Sequence, residues 1–295
     1  MTSERIGLFG VGLMGHGIAS NLARKGHDLL FFDHPGNQPT HDLVAAGARA
    51  TADAAALARH ADLLVLCVTG SPQVEAIMLG EQGALRHMRP GTLVIDCSTS
   101  IPSSTEAIAI QVKQSGCRFI DSPMTRLPKD AEAGRLNLLV GGEAADFQRA
   151  LPVLQCFAEN ITHVGPVGAG HRMKLLHNYV SLGSAALIAE AAACARIGGI
   201  DPQVLVDVLA KGGGGGAALD RMRNHLVHGD PTGLQFTLSN ALKDLSYYNT
   251  MAGQAQADRT IAAAVAQTLK QATEQGDPTA YVPQLVERLM ERKPI

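Results

Sequence analysis

The chain has 295 residues, 46% of them hydrophobic and 18% charged, which is enough length and apolar content for a sizeable core and for two domains. A formal charge of −2, with Lys and Arg scattered along the chain, supplies no field for a polyanion, so nucleic acid is not an expected partner. Five cysteines (Cys67, Cys97, Cys117, Cys156 and Cys194) include no C-x-x-C pair of the kind a zinc or redox site uses, and they read as reduced core residues of a cytoplasmic protein.

The N-terminus passes from MTSER into an apolar run without the layout of a signal peptide, and no apolar run reads as long enough to span a bilayer. From Arg5 the sequence RIGLFG predicts a short strand. In the following VGLMGHGIASNLARKGH, Ile18, Leu22, Ala19 and Ala23 recur at helical spacing, so the order is strand, glycine turn, helix. Further apolar runs at DLLFFD, DLLVLCV (from Asp62), TLVIDCS (from Thr92) and Cys117 to Ile120 are separated by helix-like intervals. Short apolar strands alternating with helices predict a parallel sheet covered on both faces, a Rossmann-type doubly wound α/β domain over residues 1–165.

The character changes at GPVGAG, near Val164. The next stretch, HRMKLLHNYVSLGSAALIAEAAACARIGG, has no proline and is rich in Ala, Leu and Ile, which predicts a long helix from about 168 to 197 that stops at Gly198-Gly199. Helical spacing in DPQVLVDVLAKG, TLSNALKDLSYYNTMAG and DRTIAAAVAQTLKQATEQG makes residues 166–295 an all-α domain joined to the first by that long helix. Lys211 to Gly216 holds five consecutive glycines, a connector or a closing loop rather than a helix interior. The long apolar helix and alanine-rich second domain exceed what one small helical domain buries, so a homodimer or homotetramer is expected.

Gly10, Gly12 and Gly15 form G-V-G-L-M-G between the first strand and helix. Here one glycine permits the tight turn, the next lets a pyrophosphate approach the backbone, and the last lets the helix pack close, with the helix N-terminus facing the phosphates. Asp33 closes the second strand, 18 positions after Gly15, where a carboxylate accepts ribose hydroxyls and repels a 2′-phosphate. His34, Pro35 and Gly36 follow, with no arginine to neutralise such a phosphate, so NAD is favoured over NADP. Lys174 and Asn178, four apart on the long helix, share a face at the domain junction, with His171 and His177 nearby. A lysine on a helix is more often a solvated charge, and only its place at the junction favours a role.

Five ordered segments together resemble the β-hydroxyacid dehydrogenase family, the 3-hydroxyisobutyrate dehydrogenase-like enzymes with a 6-phosphogluconate dehydrogenase-like C-terminal domain. They are GLFGVGLMGHGIASNLARKGH, DCSTSIP, DSPMTRLPKDAEAGRLNLLVGG, GAGHRMKLLHN and FTLSNALKDL. The resemblance implies a metal-free hydride transfer between nicotinamide and the hydroxyl carbon of a small acidic β-hydroxy compound or its semialdehyde, in the cleft between the domains. It implies that Lys174 hydrogen-bonds the reacting oxygen and that Asn178 orients the substrate. Leu13, Met14, Val68, Thr69 and Thr99 join the glycines and Asp33 around the cofactor; Lys243, held by Asp244, reaches the nicotinamide side; and Ser98 and Thr125 meet the substrate. A lysine ammonium, with an ordinary pKa of about 10.4, is ready to protonate the alkoxide of aldehyde reduction. A protein that only bound dinucleotide would be expected to lose that lysine. Tyr247 and Tyr248 read as packing residues, and Arg172 faces away from Lys174.

The chain departs from the family pattern at Thr125-Arg126-Leu127, where most relatives carry Ser-Gly-Gly. A guanidinium there suits a bidentate oxyanion, whether carboxylate, sulfonate or phosphate. The competing expectation is a surface pair with Asp130 or Glu132. The sulfolactaldehyde reductase branch is similar in having an arginine here, although it usually shows two asparagines where this chain has His177-Asn178. His177 and Ser181 would line the same anion pocket.

Overall fold

The computed structural model describes residues 4–291, in two compact units, one ending at Lys174 and the other starting at Leu175. In the first unit the strands are β1 (Ile6–Phe9), β2 (Leu29–Phe32), β3 (Arg49–Thr51), β4 (Leu63–Leu66), β5 (Leu93–Asp96), β6 (Arg118–Asp121), β7 (Met124–Thr125), β8 (Leu136–Gly141) and β9 (Ala158–Gly165). Between them lie α1 (Gly15–Arg24), α2 (His41–Ala45), α3 (Ala54–His60), α4 (Ser71–Leu79), α5 (Pro102–Gln114), α6 (Pro128–Glu132) and α7 (Ala144–Leu154). The sheet order is β3-β2-β1-β4-β5-β6-β8-β7, with β9 beside β8; β1 to β6 are mutually parallel, and β8 turns antiparallel to β6.

Side-chain alternation divides the central strands between two cores. Leu63 and Val65 of β4 and Leu93 and Ile95 of β5 join the α1 side with Ile18, Leu22 and Phe157, whereas Leu64, Leu66 and Val94 join the α3, α4 and α5 side with Leu57, Met78 and Ile108. Burial on both faces explains why these strands read as continuous apolar runs without polar alternation. Of the strands that sequence reasoning left unnamed, β8 (LNLLVG) is apolar and mostly buried, whereas the other three lack that signal. β3 is three residues, β7 is two, and β9 (AENITHVG) is largely exposed, so its polar composition fits an edge.

The sheet order reverses between β1 and β4, and Gly10 and Cys67 directly follow these two strands. Ligands of open α/β sheets bind at such a switch point. On the outer side of the turn, α1 meets α6 at backbone distance: a Cβ on Gly17 would fall 2.6 Å from the Ala131 carbonyl carbon. Asn21 donates its amide to the Ala131 carbonyl at 2.9 Å. The glycine-turn helix and the segment after Arg126 are therefore packed as one piece.

Helix α8 (Ala169–Ile197) begins in the first unit and continues through the second. It is followed by α9 (Pro202–Lys211), α10 (Ala217–His228), α11 (Leu238–Gln254), α12 (Thr260–Glu274) and α13 (Leu285–Glu291). The glycine run separates α9 from α10 and is exposed. Small residues on α8 (Ala185, Ala189, Ala192, Ala193) let Val206, Met222, Leu238, Leu245 and Leu269 close around it. The expectation that no apolar run could span a bilayer needs correction, because α8 contains an 18-residue window long and apolar enough by composition. Yet 44% of that window is buried within the fold, as in the central helix of a helical domain.

Gly17→Ala tests the α1–α6 contact. Helix propensity alone favours alanine by up to about 1 kcal/mol, but the clash with backbone forces the helices apart and costs about 1–3 kcal/mol. The expected outcome is a lower melting temperature; a higher one would show that α6 yields freely.

Candidate active site

The three motif glycines face different constraints. Gly10 has φ +93°, and a Cβ there would lie 2.2 Å from the Cys67 carbonyl oxygen. A Cβ on Gly15 would lie 1.9 Å from the Gly10 carbonyl oxygen, so the start of α1 is seated against the turn. Gly12 has nothing within 4 Å of its Cβ position, which is the open approach a pyrophosphate requires. Leu13 is exposed and Met14 half-buried, and the N-cap side chain of Met14 makes no hydrogen bond to α1. The turn fits a dinucleotide phosphate on these grounds.

Asp33 is exposed directly after β2, with its N–H on the Thr51 carbonyl at 2.8 Å. The loop beyond it is stapled to the glycine turn. Val11 N–H donates to Asn37 Oδ1 at 3.3 Å, and Gln38 N–H donates to the Val11 carbonyl at 2.8 Å. His16 bridges Glu132 (2.9 Å) and Asp42 (3.2 Å). Burial opposes its protonation, but the hydrogen bonds and charges of the two carboxylates outweigh that and hold the imidazole above its ordinary value. Neither Asn37 nor the His16 bridge was legible in the sequence, since each depends on partners 26 or more positions away.

At the ends of β4 and β5, Ser98 is buried. Its Oγ accepts from Val68 N–H at 3.1 Å and its N–H donates to Asp96 Oδ1 at 2.9 Å. Thr99 beside it is half-buried and Thr69 exposed. The Cys67 thiol next to this loop is pushed up to about 12 by burial and by Asp96, so it is not a nucleophile at neutral pH.

Beyond β6, Thr125 pairs with Asn137 of β8, whose side chain donates to Thr125 Oγ1 at 3.1 Å. Arg126 has φ +83°, the left-handed region that favours glycine. The chain thus holds an arginine in a glycine-like backbone conformation, at a cost of about 1–2 kcal/mol. The guanidinium donates to the Arg135 carbonyl and to Glu159 of β9. This corrects the expected pairing: Asp130 accepts instead from Leu127 N–H and lies 3.4 Å from Arg135, and Glu132 holds His16. Glu159 was not foreseen because β9 joins this edge only through the sheet.

The first turn of α8 is fixed by Asp121, at the end of β6. One carboxylate oxygen accepts from Gly168 N–H and the other from His171 N–H, both at 2.7 Å. One turn on, Lys174 is buried and donates from Nζ to the Met124 carbonyl at 2.6 Å. The lysine is therefore joined to the segment that carries Thr125 and Arg126. Among the described residues no three His, Cys, Asp or Glu side chains group as metal ligands.

In the second unit, Asn178 is buried and donates its amide to Asp244 Oδ2, while its Oδ1 lies 3.0 Å from His177 Nδ1. Lys243 Nζ lies 3.1 Å from Asp244 Oδ1, as an ion pair rather than an aligned hydrogen bond, and 5.4 Å over the Tyr247 ring. Asp244 therefore serves one amide and one cation at once, where the sequence linked it to Lys243 alone. Tyr179 stacks on Tyr248 at 4.2 Å, and Ser181 is half-buried on α8.

Known proteins match this arrangement along its length. Residues 5–165 match the family described as the NAD binding domain of 6-phosphogluconate dehydrogenase, and residues 168–289 the one described as NAD-binding of NADP-dependent 3-hydroxyisobutyrate dehydrogenase. The 3-sulfolactaldehyde reductase of Escherichia coli is 32% identical over 272 residues, covering 92% of this chain and 91% of that protein. The NAD-dependent L-serine dehydrogenase of Pseudomonas aeruginosa is 34% identical over 74% of this chain and 72% of its own length. The structure of Mycobacterium tuberculosis 3-hydroxyisobutyrate dehydrogenase with L-serine superposes with a TM-score of 0.87 at 25% identity, covering 98% of this chain and 99% of that one. With both halves matched in order and the glycine turn built for a dinucleotide phosphate, the chain belongs to the β-hydroxyacid dehydrogenase family and is an NAD(P)-dependent oxidoreductase.

Proposed function

We propose that the protein uses NAD(H) to interconvert a small anionic β-hydroxy acid and its semialdehyde, with Lys174 as the proton-transferring group. The observation that carries this reading is the buried Lys174 side chain, whose Nζ donates to the Met124 carbonyl beside Thr125 and Arg126. When bound, the nicotinamide supplies or accepts the hydride. Gly10, Gly12, Leu13, Met14 and Gly15 would hold the pyrophosphate, Asp33 the ribose hydroxyls, and Val68, Thr69, Thr99, Lys243 and Asp244 the remainder of the dinucleotide. Asp33, with no arginine after it, supports NAD over NADP.

In the reducing direction the Lys174 ammonium hydrogen-bonds the aldehyde oxygen and gives it a proton as negative charge develops there. The Met124 carbonyl fixes the ammonium before substrate arrives, which lowers the cost of orienting it. Asn178, one turn along the same helix and held by Asp244, would orient the substrate, with Ser98 and Thr125 as further contacts. In the oxidising direction Lys174 would have to act as the neutral amine.

Arg126 is proposed to bind the substrate's anionic group, which would take the place of Glu159 on the guanidinium. A second reading makes that group a sulfonate, bound with help from His177 and Ser181. It is favoured by the arginine held in a glycine conformation and by the near full-length likeness to a 3-sulfolactaldehyde reductase. The protein is further proposed to work in the cytoplasm as a homodimer or homotetramer. Its five cysteines are all free, and Val180, Leu187 and Ile197 present an exposed apolar stripe on α8.

Lys174→Ala is expected to lower kcat by about a thousandfold and to leave NADH binding, measured by fluorescence, unchanged; retained turnover would sink the mechanism. Arg126→Ala should raise KM for carboxylate-, sulfonate- or phosphate-bearing aldehydes about 10–100-fold and spare neutral ones, and equal effects on both would return Arg126 to a structural ion pair. Asp33→Ala should weaken NADH binding and narrow the gap to NADPH; an unchanged ratio of the two dissociation constants would remove Asp33 as the selector.

A further inference from the structure

Three parts of the proposed site meet at one buried cluster where β5 and β6 end. Asp96, Asp121 and His171 are each 0% exposed. Asp96 and Asp121 are register partners on adjacent parallel strands, so two carboxylates stand side by side away from water. Such a pair is costly unless each oxygen is compensated. Asp121 is compensated by the first N–H groups of α8, although burial, the largest influence on it, still holds its carboxyl above the ordinary value. Asp96 gives one oxygen to Ser98 N–H; its other oxygen has no hydrogen-bond partner and lies 3.9 Å from His171 Nε2.

The His171 ring spans the cluster. Nε2 lies 3.1 Å from the Ser98 carbonyl, and since a carbonyl only accepts, Nε2 carries a hydrogen. Nδ1 lies 2.8 Å from Thr105 Oγ1 on α5. The threonine either donates to a neutral ring, or accepts from a charged one and turns its own hydrogen to the Ile101 carbonyl, 3.3 Å away. Both ring states are fully hydrogen-bonded, so the imidazole keeps one orientation in either. The helix start leaves no slack around it, since a Cβ on Gly170 would fall 2.3 Å from the Leu139 carbonyl oxygen and 2.7 Å from Asp121 Oδ2.

We propose that His171 is a positioning residue for the reaction: it ties the Ser98 loop and α5 to the first turn of α8, and so sets the distance between Ser98 and Lys174, one turn further along. This rests on the reading of Lys174 as the proton-transferring group. The lysine is then located from two sides, by His171 through the helix and by the Met124 carbonyl through Nζ, and both anchors lead back to the end of β6. Loss of the ring would leave Asp96 facing an apolar gap and free the Ser98 loop to drift from the lysine. A misplacement of about 1 Å at a reacting group costs on the order of a hundredfold in rate.

The test uses His171→Leu, His171→Gln, Thr105→Val and Lys174→Ala in NADH-driven aldehyde reduction, with NADH dissociation constants from fluorescence and melting temperatures from circular dichroism. His171→Leu should lower kcat about a hundredfold with NADH affinity within about twofold, and should raise the isotope effect on kcat with deuterated NADH as the chemical step becomes limiting. His171→Gln, with an amide N–H for Ser98 and an oxygen for Thr105, should recover much of that loss. Thr105→Val, nearly isosteric, should show a smaller fall in kcat at unchanged NADH affinity. If His171→Leu does not fold, wild-type kcat in Thr105→Val at unchanged NADH affinity overturns the proposal. An unchanged kcat and isotope effect in a folded His171→Leu also overturns it, as does a loss of kcat that follows NADH affinity in every variant. Turnover retained by Lys174→Ala would defeat the underlying reading instead, so the two failures are distinguishable.

Discussion

The Asp121 carboxylate at the N-terminus of α8 is the contact on which the proposed chemistry depends. A helix start leaves backbone N–H groups unpaired, and here a buried anion from the end of β6 accepts two of them. That bond pair decides where α8 leaves the sheet, and hence where Lys174 stands one turn later. The glycines around it, Gly141 and Gly170, have side-chain positions already filled by Asp121 and by backbone. The arrangement has almost no freedom to shift, which is what a proton-transferring ammonium needs in order to meet a reacting oxygen without reorganisation.

The same strand end leads to the most strained side-chain-bearing position of this edge, Arg126. Arg126 holds the left-handed backbone conformation that glycine favours. Strain of this kind persists where surrounding structure holds it, and here β7 pairing, the Arg135 carbonyl and Glu159 all do so. An arginine whose partner is a half-exposed carboxylate is also one that a better oxyanion can capture, because exposed ion pairs are weak. The glycine-turn helix, packed on α6 through Gly17 and Asn21, brings the cofactor turn and this segment into one rigid piece.

Much of the architecture was legible because the relevant signals are local. β1, β2, β4, β5 and β6 announce themselves as apolar runs, the glycine turn by its spacing, and α8 by nearly thirty residues without proline. The observed helix, Ala169–Ile197, begins and ends within a residue of the expected range. What was not legible depends on distant pairing. β3, β7 and β9 have no periodic pattern of their own, and Asn37, Glu159 and the double role of Asp244 become visible only when remote segments are folded together.

The sequence by itself determined the fold class and the dinucleotide turn, since each rests on residue type and short-range spacing, which folding cannot change. Tertiary structure decided which groups are paired, held or strained. Whether Arg126 faces Asp130, Glu132 or Glu159, and whether His171 meets Ser98 and Thr105, turns on hydrogen bonds to residues 33 to 73 positions away. Hydrogen bonds and desolvation act only at short range in space, so only the folded chain could settle them.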